Sequence, residues 1–149
     1  MPDPVVLPLT AERWDDAVVV FGSRGDPARC WCQWFRMRSA AWKDARTASN
    51  RAALKVQVDD DPPPGLLAYV GDEPAGWVAV APRTAYERLR HSPKVVAAVG
   101  EDLDDGSIWA VTCFVVRTGF RRRGLAGALL DAAVAFAREH GARVVEGYP

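Results

Sequence analysis

IWAVTCFVV (108–116), RTGFRRRGLAG (117–127) and ALLDAAVAFAREH (128–140) follow one another without a break, and reading them together decides the architecture. The first piece is β-branched and aromatic and too short to span a membrane as a helix, the composition of a strand buried on both faces. The last sets Leu125, Leu129, Ala132, Ala133 and Phe136 at helical spacing, with Asp131, Arg138 and Glu139 on the opposite side. The spacing predicts strand, tight turn, helix. Across the turn, Arg121-Arg122-Arg123-Gly124-Leu125-Ala126 brings a run of main-chain N–H groups to a helix start. The first four such groups have no intrahelical partner, and the macrodipole adds about half a positive charge there. Gly124 and Ala126 are small enough for phosphate oxygens to approach the backbone, and the arginines add charge around the rim. A diphosphate suits this better than a single carboxylate. There is no GxxxxGK[ST] and no GxGxxG after a strand, which removes the P-loop and the dinucleotide fingerprint.

The chain has 149 residues, the length of one domain, and by its size buries about 68–70% of the surface of its extended form. The 19 basic residues balance 19 acidic ones, so no global field favours nucleic acid, and the basic cluster from Arg117 to Arg123 is local. Three cysteines, two of them in Cys30-Trp31-Cys32, make no disulfide framework. The two histidines, His91 and His140, show no ligand spacing to them, so no metal site is expected. The N-terminus lacks the pattern of a signal peptide, and no apolar run approaches the length of a membrane span. A cytoplasmic protein with no membrane partner is expected.

Taken in order, Val5–Leu7 reads as a strand, Thr10 as the cap of a helix carrying Trp14, Ala17, Val18 and Phe21, and Gly22 as its end. DPARCWCQWFRM (26–37) gathers two cysteines, two tryptophans and a phenylalanine, a density that suits a core or subunit interface, and a homodimer is an expectation on that ground. Neither Cys30 nor Cys32 has a histidine partner evident in sequence, so a redox or nucleophilic role for either is the lesser reading. Residues 39–59 read as two helices divided near Ser49-Asn50, and the Asp59–Gly65 run as a loop whose acidic part, Asp59–Asp61, is solvated. Leu66–Val70 and Ala75–Val80 form a hairpin, Thr84 caps a short helix, and residues 91–106 read as a polar loop. Gly141 ends the long helix, and 142–147 reads as a strand parallel to the central one, reached by a right-handed crossover.

At Arg121, Gly124 and Ala126 the sequence resembles the GCN5-related N-acetyltransferase (GNAT) family, whose signature is Gln/Arg-x-x-Gly-x-Gly/Ala between a central strand and a long helix. The Gly76-Trp77 pair is similar to a glycine-aromatic pattern in the same family. The resemblance implies an α/β fold with a mixed sheet over residues 1–149, its cofactor-binding core at about 66–147, and an activity that moves an acetyl group from acetyl-coenzyme A to an amine. It implies that the amides of Arg122, Arg123, Gly124, Leu125, Ala126 and Gly127 hold the pyrophosphate, with Arg121 beside them in the cofactor site, and that Phe114, Val115 and Val116 pair with the pantetheine arm. Trp31, Trp34 and Phe35 then become candidates for the wall of the acceptor pocket.

An ordinary alkylamine has a pKa of about 10.4, so at neutral pH about one in two thousand is nucleophilic, a deficit of about 4.6 kcal/mol. A base is therefore expected. Branches of the family place a glutamate early in the central strand, where this sequence has Ala110, which leaves Glu101, Asp105 and Glu146 as candidates. The acidic residues from Glu101 to Asp105 are also candidates for a rim attracting a cationic amine. Family members continue beyond the fifth strand with a helix and two strands that have no counterpart here, so the resemblance covers the cofactor half better than the acceptor half. The competing reading is a coenzyme A-binding module without catalysis.

Overall fold

The computed structural model describes residues 2–99 and 103–148. Five strands form one sheet in sequence order: β1 (Val5–Pro8), β2 (Gly65–Val70), β3 (Glu73–Pro82), β4 (Ile108–Val116) and β5 (Val144–Gly147). β1 to β4 pair antiparallel, and β5 lies parallel to β4. The hairpin between β2 and β3 turns at Gly71, whose φ of 60° suits a residue without a Cβ. α7 (Leu125–Glu139) covers one face, burying Leu125, Leu129, Ala133, Phe136 and Ala137 against Leu66, Val78, Val80, Trp109 and Val111. α1 (Trp14–Phe21) covers the other, where Trp14, Phe21 and Trp31 pack with Leu67, Trp77, Ala79 and Val115. A Cβ on Gly76 would stand 3.0 Å from the Val115 carbonyl and 3.1 Å from Leu129, so glycine there lets α7 sit close to the sheet.

β4 is not uniform along its length. Ala79 lies opposite Cys113 and Val80 opposite Val111, which leaves Thr112 as one extra residue, a β-bulge. One inserted residue reverses the facing of everything beyond it. Trp109 and Val111 accordingly belong to the α7 face, whereas Cys113 and Val115 pack on the α1 face. Phe114 is thereby turned toward the α7 side, where it lies 42% exposed.

Between β1 and β2 run α2 (Gly25–Cys30), α3 (Ser39–Trp42) and α4 (Thr47–Gln57), and between β3 and β4 run α5 (Glu87–Arg90) and α6 (Pro93–Val99). Several local expectations are corrected here. Thr10 precedes a 3-10 turn, Ala11–Arg13, and α1 starts only at Trp14. The division between α3 and α4 falls at residues 43–46, where Ser49 Oγ accepts the Arg46 N–H at 2.9 Å. Asn50 is instead buried inside α4, its amide donating to the Arg29 carbonyl at 2.9 Å and tying α4 to α2. Thr84 lies within a 3-10 turn rather than capping a helix, because α5 begins at Glu87. The stretch read as a polar loop contains α6, which opens at Pro93, where a missing N–H costs nothing.

Candidate active site

The turn after β4 is held in an unusual backbone shape. Arg122 (φ 61°) and Gly124 (φ 75°) both adopt left-handed conformations, and the arginine carries a strain of order 1 kcal/mol for doing so. Among the described residues, the main-chain amides of Arg122, Gly124, Leu125, Ala126 and Gly127 donate no hydrogen bond, and the Gly124 carbonyl accepts first from Ala128. A Cβ at Gly124 or Gly127 would meet nothing within 4 Å. Arg121 and Arg117 brace the turn, donating to the carbonyls of Val116 at 3.2 Å and Pro74 at 2.8 Å. Arg122 and Arg123 remain exposed on its outer side. The result is an open, donor-lined hollow at the start of a fifteen-residue helix.

β4 and β5 pair only from Ile108–Val111 to Val144–Gly147, and the Tyr148 N–H closes the ladder on the Val111 carbonyl at 3.1 Å. Beyond the bulge, the edge of β4 that carries Phe114, Val115 and Val116 has no strand on the β5 side among the described residues. A cleft of about 380 Å³ occupies the gap, lined by Val111, Phe114, Leu130, Val134, Glu146 and Tyr148.

Of the two candidate carboxylates among the described residues, one lines this cleft. Glu146 accepts from Arg83 Nη1 at 2.9 Å through one oxygen and from the Tyr148 hydroxyl at 2.6 Å through the other. Arg83 is 1% exposed and Glu146 23%. Burial first, and then the neighbouring Glu146, push the Tyr148 phenol up to about 12, so it stays protonated and donates. Asp105 stands elsewhere, accepting from Ser107 Oγ at 2.6 Å, the Ser107 N–H at 2.9 Å and Arg143 at 3.3 Å. Those bonds, the Ser107 ones foremost, hold its carboxyl below the ordinary range and make it a cap for the turn into β4. Glu101 lies outside the described residues. Arg83 was invisible in the sequence because its carboxylate partner is 63 residues away.

The aromatic cluster divides. Trp31 is core, 3% exposed, stacked on Phe21 at 4.8 Å and donating its indole N–H to the Ala28 carbonyl at 2.8 Å. Trp34 is 40% exposed and meets Phe35 edge-on at 4.9 Å, and Phe35 in turn lies 6.5 Å from both Tyr86 and Tyr148. Cys32 is buried against Cys113, and that contact together with burial raises its thiol, which keeps it neutral. Thr112 Oγ1 and the Tyr86 hydroxyl are buried near each other, and neither meets the geometry of a hydrogen bond among the described residues.

A bulged strand that parts from a parallel neighbour, followed by a helix with unengaged amides, is an architecture with room for one extended, anion-bearing molecule between two strands. Residues 31–147 match the acetyltransferase (GNAT) family, and the chain belongs to it, among enzymes of acetyl transfer. No curated protein sequence matches the chain. Among solved structures, aminoglycoside N-acetyltransferase AAC(6')-Iy in complex with CoA superimposes with a TM-score of 0.62 at 12% identity, covering 100% of this chain and 78% of the other. The PaiA N-acetyltransferase from Thermoplasma acidophilum in complex with coenzyme A gives 0.55 at 9% identity, over 94% of this chain and 75% of the other. Diaminobutyrate acetyltransferase EctA from Paenibacillus lautus, in complex with L-2,4-diaminobutyric acid and coenzyme A, gives 0.52 at 15%, over 99% and 66%. At these identities the likeness is one of fold. Among the described residues no helix is long and apolar enough to cross a membrane, and no cluster of metal-ligating side chains occurs.

Proposed function

We propose that the protein is an N-acetyltransferase that moves the acetyl group of acetyl-coenzyme A to a primary amine of a small molecule or a protein. The observation that carries this reading is that, among the described residues, the amides of Arg122, Gly124, Leu125, Ala126 and Gly127 donate to nothing, close to an unpaired β4 edge. When bound, the coenzyme supplies a thioester open to attack by a neutral amine. The amides receive its diphosphate, the helix dipole and Arg122 favour the charge, and Phe114–Val116 offer main-chain groups to the amides of the extended arm. Phe114, Leu130 and Val134 give the cleft an apolar lining that keeps bulk water from the reacting carbon.

Among the described residues Glu146 is the carboxylate at the cleft; it takes up the amine's proton, directly or through a water, while Arg83 and Tyr148 fix its orientation. Asp105, engaged in its turn, has no part in that step.

Incubation with acetyl-coenzyme A and an amine panel, following free thiol, tests turnover, and calorimetry with coenzyme A tests binding on its own. Tight binding with no turnover on any amine would favour the coenzyme-binding module instead. Gly124→Val places a side chain in the open space above the amides and in a left-handed backbone that it resists. The expected outcome is a loss of coenzyme affinity of at least tenfold with about 1 kcal/mol of stability lost. Retained affinity in a folded Gly124→Val protein would refute the site.

A further inference from the structure

A second cavity, of about 800 Å³, opens between the 3-10 turn Trp34–Arg36 with α3 on one side and α5 on the other. Its charged lining is lopsided. The Arg88 guanidinium lies 3.8 Å over the Trp34 ring and is fixed by bonds from Nε to the Trp34 carbonyl at 2.8 Å and from Nη1 to Ser39 Oγ at 3.0 Å. Its Nη2 is buried with no acceptor among the described residues. Arg36, half-buried, sits 5.4 Å from the Tyr86 ring centroid, and its guanidinium makes no hydrogen bond or ion pair among the described residues. Arg38 adds a third, exposed guanidinium. Among the described residues the one carboxylate in the lining, Glu87, is engaged by His91 at 3.2 Å and Arg90 at 3.8 Å.

Guanidinium groups withdrawn from water without an acceptor are unfavourable on their own, and their planar fork matches an oxyanion. Trp34 and Phe35 link this cavity to Tyr148 in the cleft between β4 and β5. The acidic rim expected to attract cations is largely neutralised where it is described, Asp104 by Arg90 and Asp105 by Arg143. We propose that this cavity seats an oxyanion, a carboxylate or a phosphate, of the acceptor, so that the preferred substrates are amines bearing an acid on the same molecule. The proposal rests on the acetyl-transfer reading and narrows its substrate class.

The test sets α-amino acids and dipeptides against their C-terminal amides, with 2-aminoethylphosphonate as the phosphate arm and spermidine and kanamycin as pure cations. The acids are expected to outpace their amides in kcat/KM. Comparison of the carboxylate and phosphonate arms identifies which oxyanion fits. Arg36→Gln is expected to reduce the acid-over-amide ratio about 10- to 100-fold, through KM, with coenzyme A affinity retained. Arg38→Glu, at an exposed position, should lower the same ratio and serves if Arg36→Gln does not fold. Equal rates for acids and amides, a preference for the cations, or an unchanged ratio in the folded variants would overturn the proposal. Failure of coenzyme A to bind the unaltered protein would count against the acetyl-transfer reading alone. Equilibrium dialysis of alanylalanine against its amide would then decide the oxyanion site, equal retention overturning it.

Discussion

Trp31 and Trp34 stand three positions apart and meet different surroundings. Trp31 follows α2 in a left-handed conformation (φ 49°), as does Cys32 (φ 60°), and these two residues reverse the chain so that Trp31 enters the core while Trp34 faces the cavity beside α5. Helical or strand spacing cannot foretell which side chain goes inward across such a reversal, so the sequence marks the CWCQWF cluster as unusual without dividing it. The structure makes the division testable. Trp31→Ala empties a stacked core position and is expected to cost about 3–5 kcal/mol in urea denaturation. Trp34→Ala removes an exposed ring and its Arg88 contact and is expected to cost about 1 kcal/mol, while raising KM for the amine and leaving coenzyme A affinity in place. If both variants lose the same stability, the assignment of Trp34 to the acceptor side is wrong.

At the scale of elements, the strand, turn and helix from Ile108 to Glu139 were legible because two periodicities meet there, a continuous apolar run and a helical stripe. The bulge at Thr112 was not. A strand apolar on both faces shows no alternation, so a slip in register leaves no trace in its sequence. The contact between Arg83 and Glu146 was hidden for a different reason, since it joins the 3-10 turn after β3 to β5 and neither segment alone demands a partner. That contact shapes how Glu146 is tested. Glu146→Gln removes a carboxylate from a buried guanidinium and is expected to cost about 3 kcal/mol, the low end for a broken buried pair because Glu146 keeps some exposure. Lower activity alone therefore proves nothing about proton transfer. A role as proton acceptor requires that the folded variant lose the acidic limb of its kcat/KM profile, and an unchanged profile with only a lower Tm would make the residue structural.

Across the whole molecule, the three tyrosines mark where the layers join. Tyr69 carries β2 to α1 through a 2.6 Å bond to Asp16, Tyr86 is buried among Ala81, Leu89 and Ala110, and Tyr148 meets Glu146 beside the cleft. Burial is the leading cause that raises all three phenols, Tyr148 to about 12 and the other two above the ordinary range by more. The sign follows from the neutral form being the one folded. An unfolded phenol releases its proton near 10, so below that pH the full stabilisation is present. As pH climbs from about 10 through about 12, the unfolded chain ionises while the folded chain holds its protons, and stability falls. Native protein is therefore expected to show almost no tyrosinate absorbance near pH 10, and then to gain it together with the loss of circular dichroism at higher pH. Tyr148→Phe, lacking one of these phenols, should weaken the decline across that window. A phenol that titrates reversibly near 10 while the dichroism stays native would mean that at least one of these layers is open to water.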